Sequence, residues 1–297
     1  MFSRVVVVGA GAIGSSFGVL LSRNSSVLLV GRKNHVGEIK KRGLKLSGAV
    51  KGTYRLQAVS VLKKIPENSL VIVSAKATTN MEIAAQLKGK VKRDTIVVVL
   101  QNGFGVENAF RRALERKCLV LRAVTTAGAF MEKPGAVVVS GINKTFIEPS
   151  GHSRKIAALF NEAKIKTEIP GDFKRVIWFK LIMNCVFNPL TALAEKRNNV
   201  VVEMPKLVEA IVSECVDVAK AEGLSFSKKA LSKKLLKSSA ESTNYSSMLQ
   251  DIWKGRETEI EFLNGQIVSL GKKHGINCPL NSALVELIKA KEKATVG

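Results

Sequence analysis

Residues 5–14 read VVVVGAGAIG, an apolar strand running straight into Gly9, Gly11 and Gly14 at GxGxxG spacing. The glycine pattern alone is weak. Its setting makes it specific, because a strand precedes it and an amphipathic helical stretch, residues 15–22, follows it. Gly9 permits a tight turn, Gly11 lets the backbone approach a pyrophosphate, and Gly14 lets helix and strand pack closely. Gly9, Ala10, Gly11, Ala12, Ile13 and Gly14 are therefore the expected phosphate cradle. The following helix aims free N–H groups and its positive dipole end at the anion. The competing reading is a structural glycine turn with no ligand.

Working outward, β-branched runs at 5–8, 27–30, 70–74, 95–100 and 119–124 alternate with amphipathic stretches such as 15–24 and 81–87. Alternation of this kind predicts βαβ units and a parallel sheet covered on both faces. Residues 136–140 and 144–147 flank Gly141-Ile142-Asn143 and read as a β-hairpin added to that sheet, with one more helix and strand over 152–170. Beyond Gly171-Asp172 the strand signals vanish. Helical periodicity then covers 173–194, 204–222, 227–238, 246–274 and 279–293, punctuated by Pro205, Gly223 and Pro279. The expected fold is α/β, an N-terminal Rossmann-type doubly wound parallel sheet followed by an all-α C-terminal domain. The expected domains are residues 1–171 for the dinucleotide and 172–297 for substrate and dimerisation.

The end of the second strand bears on cofactor choice. Sites for NAD place Asp or Glu there, accepting from the ribose 2′-OH. Residues 28–34 read LLVGRKN, with Arg32 and no acid. A guanidinium pairs a 2′-phosphate bidentately, whereas a carboxylate repels it, so NADPH is expected over NADH. Arg32 stacked on the adenine would leave dual use open.

Residues 176–193, VIWFKLIMNCVFNPLTAL, are apolar almost throughout, so this helix is expected to be buried on most of its circumference. Lys180, Asn184 and Asn188 interrupt it at i, i+4 and i+8, each roughly 40° from the last around the axis, forming one stripe. A lone lysine can snorkel to solvent. Two amides continuing its stripe lose hydration unless something pairs them, which points to a pocket. An amine in apolar surroundings has its charged form disfavoured, so Lys180 can give a proton to a carbonyl oxygen near neutral pH. Its acidic or hydroxylic neighbour is to be sought in residues 244–265, among Ser246, Ser247, Asp251, Glu257, Glu259 and Glu261. Ser247 and Glu259 would lie roughly 120° apart on one straight helix, so sharing a pocket requires a bend, for which Gly255 is the candidate.

The bulk composition narrows the class. Hydrophobic residues at 46% and charged residues at 24% are ordinary for a globular chain. No apolar run is expected to approach membrane-spanning length, and the N-terminus enters the first strand without an export signal, so a cytoplasmic protein with no membrane partner is expected. The four cysteines are scattered without CxxC pairs and the three histidines lie far apart, so neither disulfides nor a metal site are expected. The net charge of +23 is unusual. Basic clusters such as IKKRG (39–43) are short and lack interleaved aromatics. They read as a solvated surface or an attractor for anionic small molecules rather than a nucleic-acid interface.

Taken together, the blocks GAGAIG (9–14), SAKA (74–77), QNGFG (101–105), KLIMNCVFNPLTAL (180–193) and SSMLQDI…TEIEFLNG (246–265) resemble the ketopantoate reductase family in order and spacing. The resemblance implies reduction of 2-dehydropantoate to (R)-pantoate on the route to pantothenate and coenzyme A. Under it Lys180 is the proton donor, and Asn102 touches both nicotinamide and substrate. Asn184, Asn188, Asn198 and Ser247 hold the substrate hydroxyl and carboxylate. Lys76 and Ala129 line the cofactor site, and Glu259 sits beside the nicotinamide ribose and Lys180. Alternatives are a related dehydrogenase acting on another small 2-keto or hydroxy acid, or an NADPH-binding regulator with a nucleic-acid-binding surface. The later helices are apolar on more than one face, which allows a homodimer through the helical domain.

Overall fold

Valine dominates β1 (Arg4–Val8), and Val5, Val6 and Val7 are fully buried, as a strand covered on both faces requires. The computed structural model describes residues 2–296. The chain separates into two units: Met1–Gln101 with Gly105–Phe173, and Asn102–Phe104 with Lys174–Gly297.

In the first unit β1 leads into α1 (Ala12–Leu21), β2 (Val27–Val30), α2 (Lys33–Arg42), β3 (Leu44–Gly48), β4 (Gly52–Tyr54) and β5 (Gln57–Val59). There follow β6 (Ser69–Val73), α3 (Asn80–Lys88), β7 (Ile96–Val99), α4 (Asn108–Ala113) and β8 (Leu119–Thr125). The unit closes with β9 (Gly128–Lys133), β10 (Ala136–Gly141), β11 (Thr145–Ile147), α5 (Ser153–Glu162) and β12 (Thr167–Glu168). Eight strands form one sheet in the order β12-β11-β8-β7-β6-β1-β2-β5, parallel except where β11 meets β8. This is the doubly wound parallel sheet that the alternation predicts. The other four strands form a second sheet, β4-β3-β10-β9, and α1 packs against its strands β9 and β10.

One expected element does not form. Residues 136–140 and 144–147 are not a hairpin: β10 pairs antiparallel with β9, while β11 pairs with β8 in the larger sheet. The hairpin turn lies instead at Pro134-Gly135, where the Gly135 N–H donates to His35 Nδ1 at 2.9 Å. His35 is buried and its ring Nε2 lies 3.2 Å from the Ser15 hydroxyl, so α1, α2 and the turn are fastened at one imidazole. Burial holds that imidazole below the usual histidine range, consistent with the neutral ring whose Nδ1 accepts.

The second unit is helical. It comprises α6 (Phe173–Ala194), a 3-10 segment Asn198–Glu203, α7 (Pro205–Ala221) and α8 (Lys228–Ala240), then α9 (Ser247–Ile252), a 3-10 turn Ile260–Phe262, α10 (Asn264–Lys273) and α11 (Pro279–Val296). The single helix expected over 246–274 is therefore broken. Gly255 takes φ +56°, and the Arg256 N–H turns back to the Asp251 carbonyl at 2.9 Å.

Helix α6 also corrects the expectation about membrane length. By length and composition it is apolar enough to cross a bilayer, with a mean hydropathy of 1.5 over its most apolar window. Two thirds of that window is buried inside the protein, 67%. Trp178, Ile182, Cys185 and Val186 pack there with Val208, Ile211, Val212 and Ile288 as the core of the helical unit. Pro189 sits inside α6 and cannot donate to the carbonyl four residues back. That carbonyl, of Cys185, accepts instead from Asn264 Nδ2 at 3.0 Å, so this acceptor is not orphaned.

Candidate active site

The glycine turn has the geometry a phosphate cradle needs. Gly9 has φ +102°, and a Cβ there would fall 2.2 Å from the Ala75 nitrogen. A Cβ on Gly14 would fall 2.2 Å from the Gly9 carbonyl oxygen. Both are glycines because the protein packs against them. Gly11 differs: it is exposed, and its Cβ would meet nothing nearer than 4.0 Å. Its small size answers no need of the protein's own packing and leaves room for a ligand. Gly11 caps α1 without a side-chain hydrogen bond. The N–H groups of Ala12, Ile13 and Gly14 have no acceptor among the described residues, as in the first turn of any α-helix, and such groups can hold an anion. The residues present thus fit a dinucleotide pyrophosphate.

Neighbouring loops complete this face of the first unit. The Ser74 hydroxyl donates to the Gly9 carbonyl at 3.0 Å, so the loop after β6 rests on the glycine turn. Lys76 follows in that loop, and its carbonyl accepts the Thr79 N–H at 3.0 Å. Ala10 is buried, Ala12 and Ile13 are half-buried, and Ala129 packs on the same core from β9. Arg32 ends the second strand as the exposed N-cap of α2, with no carboxylate paired to it among the described residues.

In the second unit the polar stripe survives as read from its spacing. Lys180 is half-buried, and burial pushes its ammonium down to about 8. Asn184 and Asn188 are 5% and 7% exposed, and neither side chain has a hydrogen-bond partner among the described residues. The Asn184 Nδ2 is wholly enclosed and unpaired. Unpaired buried amides are rare because each costs on the order of 1–3 kcal/mol. Such a cost is retained where a ligand supplies the missing partner.

The other residues of this unit expected at the site divide into those on segments linked to Phe104 or α6 and those differently engaged. Asn102 belongs to this unit with Gly103 and Phe104. The Phe104 ring stands edge-on to the fully buried Trp178, 5.3 Å between centroids, two residues from Lys180. The Phe104 N–H donates to the Phe262 carbonyl at 2.9 Å, and the Phe262 N–H to the Glu259 carbonyl at 2.9 Å. Asn102, Lys180 and Glu259 are thus carried by three segments bonded to or packed on one another. Glu259 is half-buried and caps the 3-10 turn. Glu261 pairs with Lys289 instead, and Glu257 is exposed. Ser246 is consumed structurally: its hydroxyl caps α9 by accepting the Leu249 N–H at 3.1 Å. Ser247, next along, is exposed. Asn198 donates through Nδ2 to the Ser242 hydroxyl at 3.3 Å, while its Oδ1 is buried and unpaired.

Two contributors escape a reading by residue type. Thr191, fully buried, continues the stripe three residues past Asn188 and touches the Ser246 hydroxyl; its spacing was the available signal. Phe104 gives no such signal, because its role depends on where Trp178 lies. Among the described residues no cluster of three or more metal-ligating side chains occurs.

Two family models match the chain: ketopantoate reductase PanE/ApbA over residues 5–152, and the ketopantoate reductase PanE/ApbA C terminal over 172–292. The 2-dehydropantoate 2-reductase of Pyrococcus abyssi is 34% identical, covering 97% of this chain and 98% of the relative. That of Archaeoglobus fulgidus is 33% identical, with 97% and 98% covered. Among solved structures, a PanE/ApbA family ketopantoate reductase from Ralstonia eutropha has a TM-score of 0.90 at 29% identity, covering 99% and 100% of the two chains. A D-mandelate dehydrogenase described with NADH and anilino(oxo)acetate has a TM-score of 0.91 at 27% identity, covering 98% and 99%.

Proposed function

The chain belongs to the ketopantoate reductase family, and from that premise we propose that it reduces 2-dehydropantoate to (R)-pantoate with NADPH, a step toward pantothenate and coenzyme A. The observation that carries this reading is the stripe Lys180–Asn184–Asn188, a half-buried amine whose charged form burial disfavours, on one helix face with two buried, unpaired amides. A nicotinamide dinucleotide, when bound, supplies the hydride that adds to the ketone carbon.

The chain's own residues do the rest. The N–H groups of Ala12, Ile13 and Gly14 hold the pyrophosphate, with Gly9, Ala10 and Gly11 letting it approach. Arg32 pairs the 2′-phosphate. Lys76 and Ala129 line the cofactor's path, and Asn102 orients the nicotinamide and the substrate together. Asn184, Asn188, Asn198 and Ser247 bind the substrate hydroxyl and carboxylate. Lys180 gives its proton to the ketone oxygen and is reprotonated from solvent, with Glu259 stabilising its charged form. Orientation of this kind supplies a large share of a barrier reduction. Residues 1–171 serve the dinucleotide and residues 172–297 the substrate. The same reading puts the enzyme in the cytoplasm without a nucleic-acid partner, as a homodimer through its helices that sedimentation can check.

The NADH-bound D-mandelate dehydrogenase favours a second reading, NADH-linked reduction of another 2-oxo acid. Loss of cofactor absorbance with ketopantoate, phenylglyoxylate and other small 2-oxo acids, each with NADPH and NADH, separates the two. Turnover fastest with ketopantoate and NADPH supports the proposal. Inert ketopantoate beside a reduced competitor defeats it.

A further inference from the structure

Arg122 lies on β8, directly opposite Val99 of β7, within a strand otherwise filled by residues such as Val120, Leu121, Ala123 and Val124. It is 2% exposed. A guanidinium in the middle of a parallel sheet is costly unless its donors are met. Nη1 donates to the carbonyls of Val99 and Ala123, both at 2.7 Å, and Nη2 donates to the carbonyl of Gln101. Nε faces the buried carboxylate of Glu107 at 3.5 Å. Glu107 in turn lies 3.8 Å from Arg111. Arg111 binds Glu148 at 2.6 Å, and Glu148 accepts the Arg122 main-chain N–H at 2.8 Å. The chain of contacts returns to Arg122 through that main-chain N–H.

What these contacts enclose is a short stretch of chain. Gln101 is the last residue before Asn102–Phe104 join the helical unit, and the chain returns to the first unit at Gly105, two residues before Glu107. One side chain therefore hydrogen-bonds the carbonyl at the loop's entrance and forms an ion pair, without a hydrogen bond, with the carboxylate at its exit. The Gln101 side chain is fixed too, with Nε2 donating to Ala75 and Asn80 oxygens at 2.7 Å each.

We propose that Arg122 is a positioning residue for Asn102, clamping both ends of the loop that presents it. The significance for catalysis rests on the reading of Asn102 given above; the clamp itself rests on the contacts. A planar fork is required, because three carbonyls and a carboxylate lie around one group, and an ammonium offers only a point charge with three donors.

The test uses the full chain and two measurements. Hydrogen exchange on the ligand-free protein compares peptides spanning residues 100–107 with peptides spanning 5–20, in wild type, Arg122→Met, Arg122→Lys and Glu107→Gln. Exchange should quicken by about tenfold or more in the loop of Arg122→Met, less in the other two, and stay unchanged over 5–20. Initial rates of ketopantoate-dependent NADPH oxidation should show kcat down by about 10- to 100-fold in Arg122→Met, KM for NADPH within about twofold, and partial recovery in Arg122→Lys. Unchanged loop exchange, exchange quickened throughout the chain, or unchanged kcat overturns the proposal. Should Arg122→Met fail to fold, Glu107→Gln, which loosens only the exit end, decides by the same criteria. A wild type inert toward every 2-oxo acid sinks the reductase reading, and the exchange data then decide the clamp alone.

Discussion

Thr191 and Ser246 bring their hydroxyl oxygens to 2.7 Å inside the helical unit, both side chains buried. Through this contact the last turns of α6 fasten the start of α9, next to Ser247. Thr191→Val keeps the shape and removes the hydroxyl. The expected cost is about 1–2 kcal/mol in a denaturant melt, since the Ser246 hydroxyl loses a partner. The KM for the 2-oxo acid should rise several-fold while that for NADPH holds. Equal changes in both would show that the contact serves stability alone.

Lys180 sets a pH dependence with a definite sign. Burial lowers its ammonium from 10.5 to about 8. Reduction consumes the proton on this amine, so kcat for reduction falls as pH rises through about 8, and the reverse oxidation rises over the same interval. Lys180→Ala should lose about 10²–10⁴-fold in kcat and flatten that limb. The linkage to stability runs the other way. Between about 8 and 10.5 the unfolded chain holds a proton that the folded chain has released, so stability increases with pH there. Thermal melts of Lys180→Met against wild type across that window would expose the difference.

Asn184 separates ligand binding from packing. A buried amide whose Nδ2 meets no acceptor is a liability to the free protein. Asn184→Leu, of similar volume, should melt at or above the wild-type temperature while the KM for the 2-oxo acid climbs by about tenfold or more. A marked drop in melting temperature would mean the amide has a partner in the free protein after all.

Arg32 is exposed and unpaired with any carboxylate among the described residues, so its removal should cost little stability. Arg32→Ala should raise the KM for NADPH by about 10-fold or more, in line with the loss of a charge-assisted phosphate contact, and leave that for NADH unchanged. Parallel loss with both cofactors would assign Arg32 to stacking on the adenine.

The glycine turn and the stripe were legible because each is a local pattern: spacing alone sets Gly9, Gly11 and Gly14 at one turn, and Lys180, Asn184 and Asn188 on one face. The strand β9 was not, since GAFMEK is half or fully exposed along its length and shows no alternation. Its partner was misassigned because Gly141-Ile142-Asn143 has turn chemistry, while the actual turn is held by His35, a hundred residues away. Asn102 could be named by resemblance, but its membership of the helical unit depends on Phe104 meeting Trp178 and Phe262. Likewise the break at Gly255 is stabilised from afar, by Glu292 accepting the Thr258 N–H at 2.7 Å.

Helix α6 carries a consequence for how the chain comes to fold. Apart from Phe104 against Trp178, its apolar circumference is covered by residues that follow it, from Val201 in the 3-10 segment to Ile288 in α11. During synthesis residues 173–194 therefore emerge long before the residues that cover them, greasy enough to stick to a neighbour or to be taken for a bilayer span. Lys174, Arg175 and Lys180 are the charges set among those apolar positions, the residue type that interrupts an aggregation-prone run. The lysine proposed to give its proton in the finished enzyme is also a charge that breaks the apolar run of the unfinished one.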